Sequence, residues 1–414
     1  MFYLGLDIGT TNIKVLLTDS AGVVLSEGSA GVVRYDTPDG GVEQDIHQIW
    51  QAVCDAIKKA VHGFDAGQIR AVGVSSQGGA LLPLDVNGTP LGRVISWLDK
   101  RGSKYDKQLT AELGGDFFRK YIGHGKSIIG PGQIMRLKTE QPEYYSQIKH
   151  FAFVGDMIVG MLTGTRGHDA TSLSICCLLN PQTGRADEAI LERLGINEAQ
   201  LPKLFSADQS VGKITESAAG LTGLKPGISI GPAIHDQYAA AIGAGAINPG
   251  DMCLATGTAW VLLAITDRLT PPVIDDAFVC PHPYDGLYAQ MVPLGTGGSA
   301  IQHAMKQLGY DEISLELIDN LLEKAIDEPG SDKSADIIYE TVIELSKLLA
   351  KQFELMRIAG ITPKRIILTG PAAVSRFTPQ IIEKVIGLKV ECFNNPSTSA
   401  YGAVVLARRM KNCE

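Results

Sequence analysis

Two aspartates and two glycine-threonine turns are the residues of this chain best suited to chemistry. Asp7 opens the octet Asp7-Ile8-Gly9-Thr10-Thr11-Asn12-Ile13-Lys14, and a second turn, Thr256-Gly257-Thr258-Ala259, lies most of the chain away. Glycine lets backbone N–H groups approach an anion closely, and threonine hydroxyls add donors beside them. Two such tips facing each other across a cleft would grip a polyphosphate from both sides. Asp7, ending a strand just before the first turn, suits a magnesium ion held through water, while Thr10, Thr11 and Lys14 would face phosphate oxygens. Asp and Gly are also ordinary turn residues, so the octet alone reads equally as a plain hairpin tip. The second turn tips the balance toward phosphate. Asp236, in His235-Asp236-Gln237-Tyr238, opens a helix of very small residues from Ala239 to Gly245. It reads as a helix N-cap and, at a cleft, as a base for a substrate hydroxyl.

The elements that must position these groups follow from hydrophobic periodicity. Short apolar runs flank both turns, the outline of two β-hairpins. The N-terminal stretch predicts strands over 3–6, 13–19 and 22–29. Next come an amphipathic helix over 46–62, a buried strand over 69–74 and a further strand over 80–84. Strand-strand-strand-helix-strand is the first half of a ribonuclease-H-like α/β unit. The second half of the chain repeats that order, with strands at 251–256, 259–265, 287–293 and 365–368 and helices near 299–308, 334–359, 376–386 and 400–409. An internal duplication explains why the two turns look alike. Pro226-Gly227 and Gly231-Pro232 punctuate the chain between the halves, so the expected domains are 1–232 and 233–414, with an irregular insertion over about 100–210.

At 414 residues, with 45% hydrophobic content, the chain has material for two or three cores. A net charge of −8 leaves no basic stripe for nucleic acid or anionic lipid. No apolar run reaches the length of a membrane span, and Asp7 interrupts the first apolar stretch, which predicts a cytoplasmic protein. Seven cysteines (54, 176, 177, 253, 280, 392 and 413) form no C-x-x-C pair and fit reduced thiols, with no metal site of Cys or His. The stretch Ile95-Ser96-Trp97-Leu98-Asp99-Lys100-Arg101 joins an indole plane to a carboxylate and a guanidinium, a mixture that suits a polyhydroxylated ligand. In isolation it is a strand end with a buried Trp and an ion pair. Gly243-x-Gly245 lacks a preceding strand and the full dinucleotide fingerprint, and the acidic stretch 311–328 reads as a solvated helix and loop.

With these residues in view the chain resembles a carbohydrate kinase of the FGGY family, within the superfamily of actin-like, chaperone and sugar-kinase ATPases. The likeness runs essentially end to end. It rests on Asp7 to Lys14, Glu43-Gln44-Asp45, Trp97-x-Asp99-x-Arg101, Asp156 to Asp169 with Leu162-Thr163-Gly164, Asp236 to Gly245, Thr256 to Ala259, Leu368 to Ala372, and Ala400-Tyr401-Gly402-Ala403. The resemblance implies two ribonuclease-H-like (actin-like ATPase) domains with the active site in the cleft between them. It implies ATP and Mg²⁺ as cofactors, Asp236 as general base and Asp7 bearing on the metal. Thr10, Thr11, Asn12 and Lys14 would bear on the phosphates, and Gly257, Thr258, Gly298 and Gln302 would line the nucleotide. Gly370, Pro371, Ala372 and Ser375 would surround adenosine. A small sugar (ketose, polyol or sugar acid) would be framed by Gln77, Gly78, Gly79, Trp97, Asp99, Arg101 and Gln237. A homodimer is the candidate assembly. Gly78-Gly79 departs from the Arg-Glu of glycerol kinases and the Met-His of xylulokinases, which argues against glycerol, leaves D-xylulose open and predicts an opened pocket. Pro371 and Ser375 depart from the usual adenosine loop and imply looser base selection. The competing reading is a non-catalytic or chaperone-like ATPase switch on the same clamp.

Overall fold

In a computed structural model, residues 1–411 are described; Cys413 lies outside them. Two sheets of like topology carry the chain. In the first, the hairpin strands Phe2–Ile8 and Asn12–Asp19 pair antiparallel, Val24–Gly31 adds to their edge, and Ile69–Ser76 runs parallel to Phe2–Ile8 on the other side. In the second, Asp251–Thr256 and Trp260–Thr266 form the hairpin, Tyr288–Pro293 adds antiparallel, and Arg365–Thr369 then Val390–Cys392 continue in parallel. The expected duplication of strand order is therefore present, and each glycine-threonine turn closes the central hairpin of its own sheet.

The next parallel strand of the first sheet comes from far along the chain. Ser229–His235 pairs with Ile69–Ser76, in register from Ile234 opposite Ser75 to His235 opposite Ser76. The chain leaves this sheet at His235 and enters the helix Asp236–Gly243 at once. Leu81–Leu84 instead belongs to a separate five-stranded sheet with Val42–Gln44, Val94–Ile95 and His150–Phe153. The helix Ile46–Val61 forms as its periodicity requires: Asp45 caps it by accepting from His47 N at 2.8 Å, and Ile49, Val53, Ile57 and Ala60 are buried against the first sheet.

Two short helices lie between the sheets, and small residues let them. The last helix, Thr398–Ala407, packs on the first sheet and on Asp236–Gly243. A Cβ on Gly5 would come within 2.8 Å of Val404 Cγ2, and one on Gly243 within 2.6 Å of Thr398 O; one on Gly402 would collide with the Ala239 carbonyl. Such backbone contact leaves little play at the base of the cleft. The largest buried cluster joins Phe118 and Phe151 of the insertion to Cys253 and Leu263 of the second sheet. At the cleft's outer side, Gly125 N donates to Asp275 O and Val279 N to Gly123 O, both at 2.8 Å, flanked by ion pairs Arg119–Asp275 (2.5 Å) and Lys126–Asp276 (2.6 Å). The six cysteines among the described residues are unpaired, all buried except Cys392.

The insertion is mostly helical, with helices at Ser103–Leu113, Gly130–Glu140, Pro142–Gln147, Val154–Thr163, Ala170–Ile175 and Glu188–Leu194. The acidic stretch also corrects its reading as purely solvated: Leu315–Asp327 is a helix that buries Leu321, Leu322, Ala325 and Asp319.

Candidate active site

A cavity of about 320 Å³ opens between the sheets, lined by Thr10, Gln77, Asp236 and Gln237 from one side and by Val261, Met291 and Pro293 from the other. Larger hollows lie elsewhere, one of them along the insertion around Glu188 and Asn197; Asp236 lines the cavity between the sheets, and Asp7 is not among its lining residues.

Asp7 reaches the cleft because it ends the central strand, with Lys14 opposite in register across the hairpin and Ser75 beside it on the parallel strand. Ser75 Oγ donates to Asp7 Oδ1 at 2.8 Å, and Asp7 Oδ2 has no hydrogen bond. Burial, then the nearby Asp236 charge, pushes the Asp7 carboxyl up to about 7. Asp236 stands at the first turn of its helix; the cap position belongs to His235, which corrects the N-cap reading. Packing around Asp236 lifts its carboxyl to about 6, although 29% of the side chain stays open to the cleft. His235 Nε2 lies 3.5 Å from Asp236 Oδ1, and burial drives that imidazole down to about 4, so it is neutral. Its Nδ1 is buried without a partner.

Thr10 organises the inner wall. Its hydroxyl donates to Gln77 Oε1 at 3.0 Å and accepts from Trp97 Nε1 at 3.1 Å, while its carbonyl accepts from Gln44 Nε2 at 2.9 Å. Gln77 Nε2 closes the ring by donating to Gln44 Oε1 at 3.0 Å. Gln44 is fully buried and holds both Thr10 and Gln77, a role that sequence reasoning missed. Its one signal was membership of Glu43-Gln44-Asp45. Lys14 Nζ donates to Pro396 O at 2.7 Å, joining the first hairpin to the loop before the last helix. Thr11 and Asn12 sit exposed at the tip, bonded to each other at 3.3 Å.

The expected opening at Gly78-Gly79 is not there. A Cβ on Gly78 would meet the His235 ring, 2.7 Å from Nε2, and Ile175 Cγ2 at 2.5 Å. One on Gly79, whose φ of +74° already favours glycine, would meet Ile129 Cγ2 at 2.6 Å. Other side chains have moved into the volume that larger residues would claim. Arg101 also differs from expectation: it is not among the cavity residues and is spent on Asp99 (2.6 Å), Glu43 (2.8 Å) and Asp39 (3.3 Å). Asp99, itself held by Arg101, Val42 N and Gln133, reaches the cavity edge.

The second turn is tied to two neighbours. Gly298 N donates to Gly257 O at 3.1 Å and Ser299 N to Thr258 O at 2.9 Å, which brings the start of the helix Gly298–Gln307 against the tip. Thr256 Oγ1 donates to Thr369 O and accepts from Ala372 N at 3.0 Å, fastening the Gly370-Pro371-Ala372 loop to the same place. Gln302 lies exposed one turn along that helix. Ser375 is turned away: its hydroxyl donates to Asp319 Oδ1 at 2.5 Å and accepts from Thr378 N, supporting the loop from behind.

Two like-built α/β lobes with an acidic cleft between them define the actin-like ATPase architecture. The family model for the N-terminal domain of the FGGY family of carbohydrate kinases matches residues 2–243, and the chain belongs to that family. It is 29% identical to the probable L-xylulose kinase of Pasteurella multocida over 297 residues, 70% of this chain and 60% of that protein. It is 23% identical to the xylulose kinase of Staphylococcus epidermidis across 98% of this chain and 87% of that protein. Among solved structures, the xylulose kinase from Rhodospirillum rubrum superposes with a TM-score of 0.91 at 21% identity, covering 98% of this chain and 89% of that one. Plasmodium falciparum glycerol kinase with ADP gives a TM-score of 0.88 at 18% identity, covering 98% and 88%. These likenesses establish the fold.

The family implies a divalent cation, and the residues suit one. Asp7 offers a free carboxylate oxygen, and two neighbouring buried carboxylates repel each other. Among the described residues no group of three or more His, Cys, Asp or Glu gathers as a metal cage. One or two carboxylates plus phosphate oxygens are what a hydrated magnesium ion would lean on. No helix among the described residues is long and apolar enough to cross a membrane.

Proposed function

We propose that the protein transfers the terminal phosphoryl group of ATP to a hydroxyl of a small carbohydrate, with Asp236 as general base. The observation that carries this reading is a single cavity flanked by Asp236, by the Thr10–Gln77–Trp97 wall and by the edge of the second sheet. The triphosphate would lie between the tips at Thr10 to Asn12 and Gly257 to Thr258. Gly298 and Gln302 would border the nucleotide, with adenosine against Gly370 to Ala372. Asp7 would hold a magnesium ion through water, and that ion would neutralise phosphate charge. The division of the chain into two units belongs to the same reading, with the cleft at their junction; the expected boundary at 232/233 would cut the strand Ser229–His235, so we place the junction after His235.

In the reaction, Asp236 accepts the proton of the substrate hydroxyl as its oxygen bonds to the γ-phosphorus and the bond to the ADP oxygen breaks. Phosphoryl transfer has a loose transition state, so most of the acceleration comes from positioning and charge neutralisation. Lys14 would bear on the phosphates, giving up the bond of its Nζ to Pro396 O, and the hydrogen bonds Gly123–Val279 and Gly125–Asp275 tie the insertion to the second half of the chain beside the cleft. A coupled ADP-release assay across ketopentoses, ketohexoses, polyols and aldonates tests the proposal. Sugar-dependent ADP release supports it; equal ATP hydrolysis with and without every sugar overturns it and favours the ATPase-switch reading.

A further inference from the structure

Resting on the kinase reading, the wall of the cavity narrows the substrate class. Ile129, Ile175, Phe278 and Met291 form a continuous apolar face, packed together in the cluster that joins the insertion to the second sheet. Ile129 is held there at a cost. Its φ of 68° and ψ of −86°, with Gly130 N donating to Ile128 O at 3.0 Å, make it the centre of the strained hand of γ-turn. For a β-branched residue this is a true outlier, of the kind that persists at ligand clamps. The turn aims the side chain over Gly79, whose missing Cβ is what admits it.

Part of the polar lining of the cavity is already committed. Both functional atoms of Gln77 and the hydroxyl of Thr10 are bonded to each other, to Gln44 and to Trp97. Asp99 is bonded to Arg101 and Gln133, and Asp106 accepts from Ser127 at 2.7 Å and Gly132 N at 2.9 Å. Unspent capacity rests with Asp236 and Gln237 on one side of the cavity and with Lys100, Ser103 and Asp106 Oδ2 on the other, away from the apolar face. A densely hydroxylated sugar would bury hydroxyls against Ile129 and Phe278 with no partner, which is costly.

We infer that this site takes a short, sparsely hydroxylated substrate whose non-reacting end is a methyl or methylene group, such as a deoxyketose, and that Ile129 selects for it. The comparison that tests this pairs each compound with its hydroxylated counterpart: a 1-deoxyketopentose against the ketopentose, and a 6-deoxyketohexose against the ketohexose. Expected is a kcat/KM at least about 10-fold higher for the better deoxy compound, in the range one group against an apolar pocket can supply. Ile129→Gly relieves the backbone strain and should bring that ratio close to one; Ile129→Asn, which keeps a side chain in place and tolerates the left-handed φ, should favour the hydroxylated member. Equal or reversed preference in the wild type, or an unchanged ratio in Ile129→Gly, overturns the inference. Ligand-induced shifts in Tm separate the two layers of argument. A larger shift from the deoxy compound than from its counterpart, without transfer, keeps the binding preference assigned to Ile129 and defeats the kinase reading; neither shift nor transfer from any of the four defeats both.

Discussion

Two carboxylates crowded into one cleft should make the empty protein less stable than it need be. Asp7 has its carboxyl raised from 3.8 to about 7 by burial and by Asp236. An acid whose folded value lies above its unfolded value binds its proton more tightly when folded. Stability is therefore greatest at low pH, falls as pH rises through the window from about 4 to 7, and stays low above it. Three pH units correspond to about 4 kcal/mol at full effect, and water entering the open cleft reduces this to roughly 2–4 kcal/mol. Asp7→Asn removes the charge and keeps an oxygen for Ser75. The variant should therefore gain that amount at pH 8 and about half as much at pH 5. Urea unfolding at both pH values, without ATP or divalent cation, measures it. A variant no more stable than wild type at pH 8, or a gain that does not shrink at pH 5, refutes the reasoning. The same variant should be catalytically dead, a site kept at the expense of stability.

Three further outcomes follow from the geometry. Gly73→Ala would set a Cβ 2.7 Å from the carbonyl carbon of Ala403, and overpacking there should cost about 1–3 kcal/mol or more in an unfolding titration. Ser375→Ala should lose about 1–2 kcal/mol of stability, because the hydroxyl that accepts from Thr378 N and donates to buried Asp319 disappears. It should leave the KM for ATP within a factor of about 3, a measurement that separates support of the loop from contact with adenine. The kcat/KM profile should rise about tenfold per pH unit between about 6 and 7, as Asp7 ionises, more steeply below about 6, where Asp236 must ionise as well, and level above about 7.

Much of the fold was legible because it is local. Both hairpins, the helix Ile46–Val61 and four of the six strands of the second sheet lie where periodicity and turn chemistry put them, while Phe278–Pro281 and Val390–Cys392 were not expected. What was illegible depends on distant partners. Nothing near Ser229–His235 says that it lies beside Ile69–Ser76 while Leu81–Leu84 leaves for another sheet. The helix Gly130–Glu140 begins Gly130-Pro131-Gly132, a glycine-proline start inside the stretch expected to be irregular, although proline is tolerated in a first helical turn and Asp106 from another helix accepts from Gly132 N. The site divides the same way. Asp7, Asp236 and the two turns stood out by type and spacing. The spending of Arg101 on Glu43 and Asp99, of Ser375 on Asp319, and the filling of Gly78-Gly79 by His235 and Ile129 are tertiary facts with no local signature.

The central claim is that Asp236 takes the proton from the sugar in a cleft that binds ATP independently of it. Single-turnover transfer from radiolabelled ATP, with nucleotide affinity measured alongside, tests it in Asp236→Asn. Transfer to sugar slowed by about 10²–10⁴-fold with ATP affinity intact is the predicted result. Transfer near the wild-type rate would contradict the account.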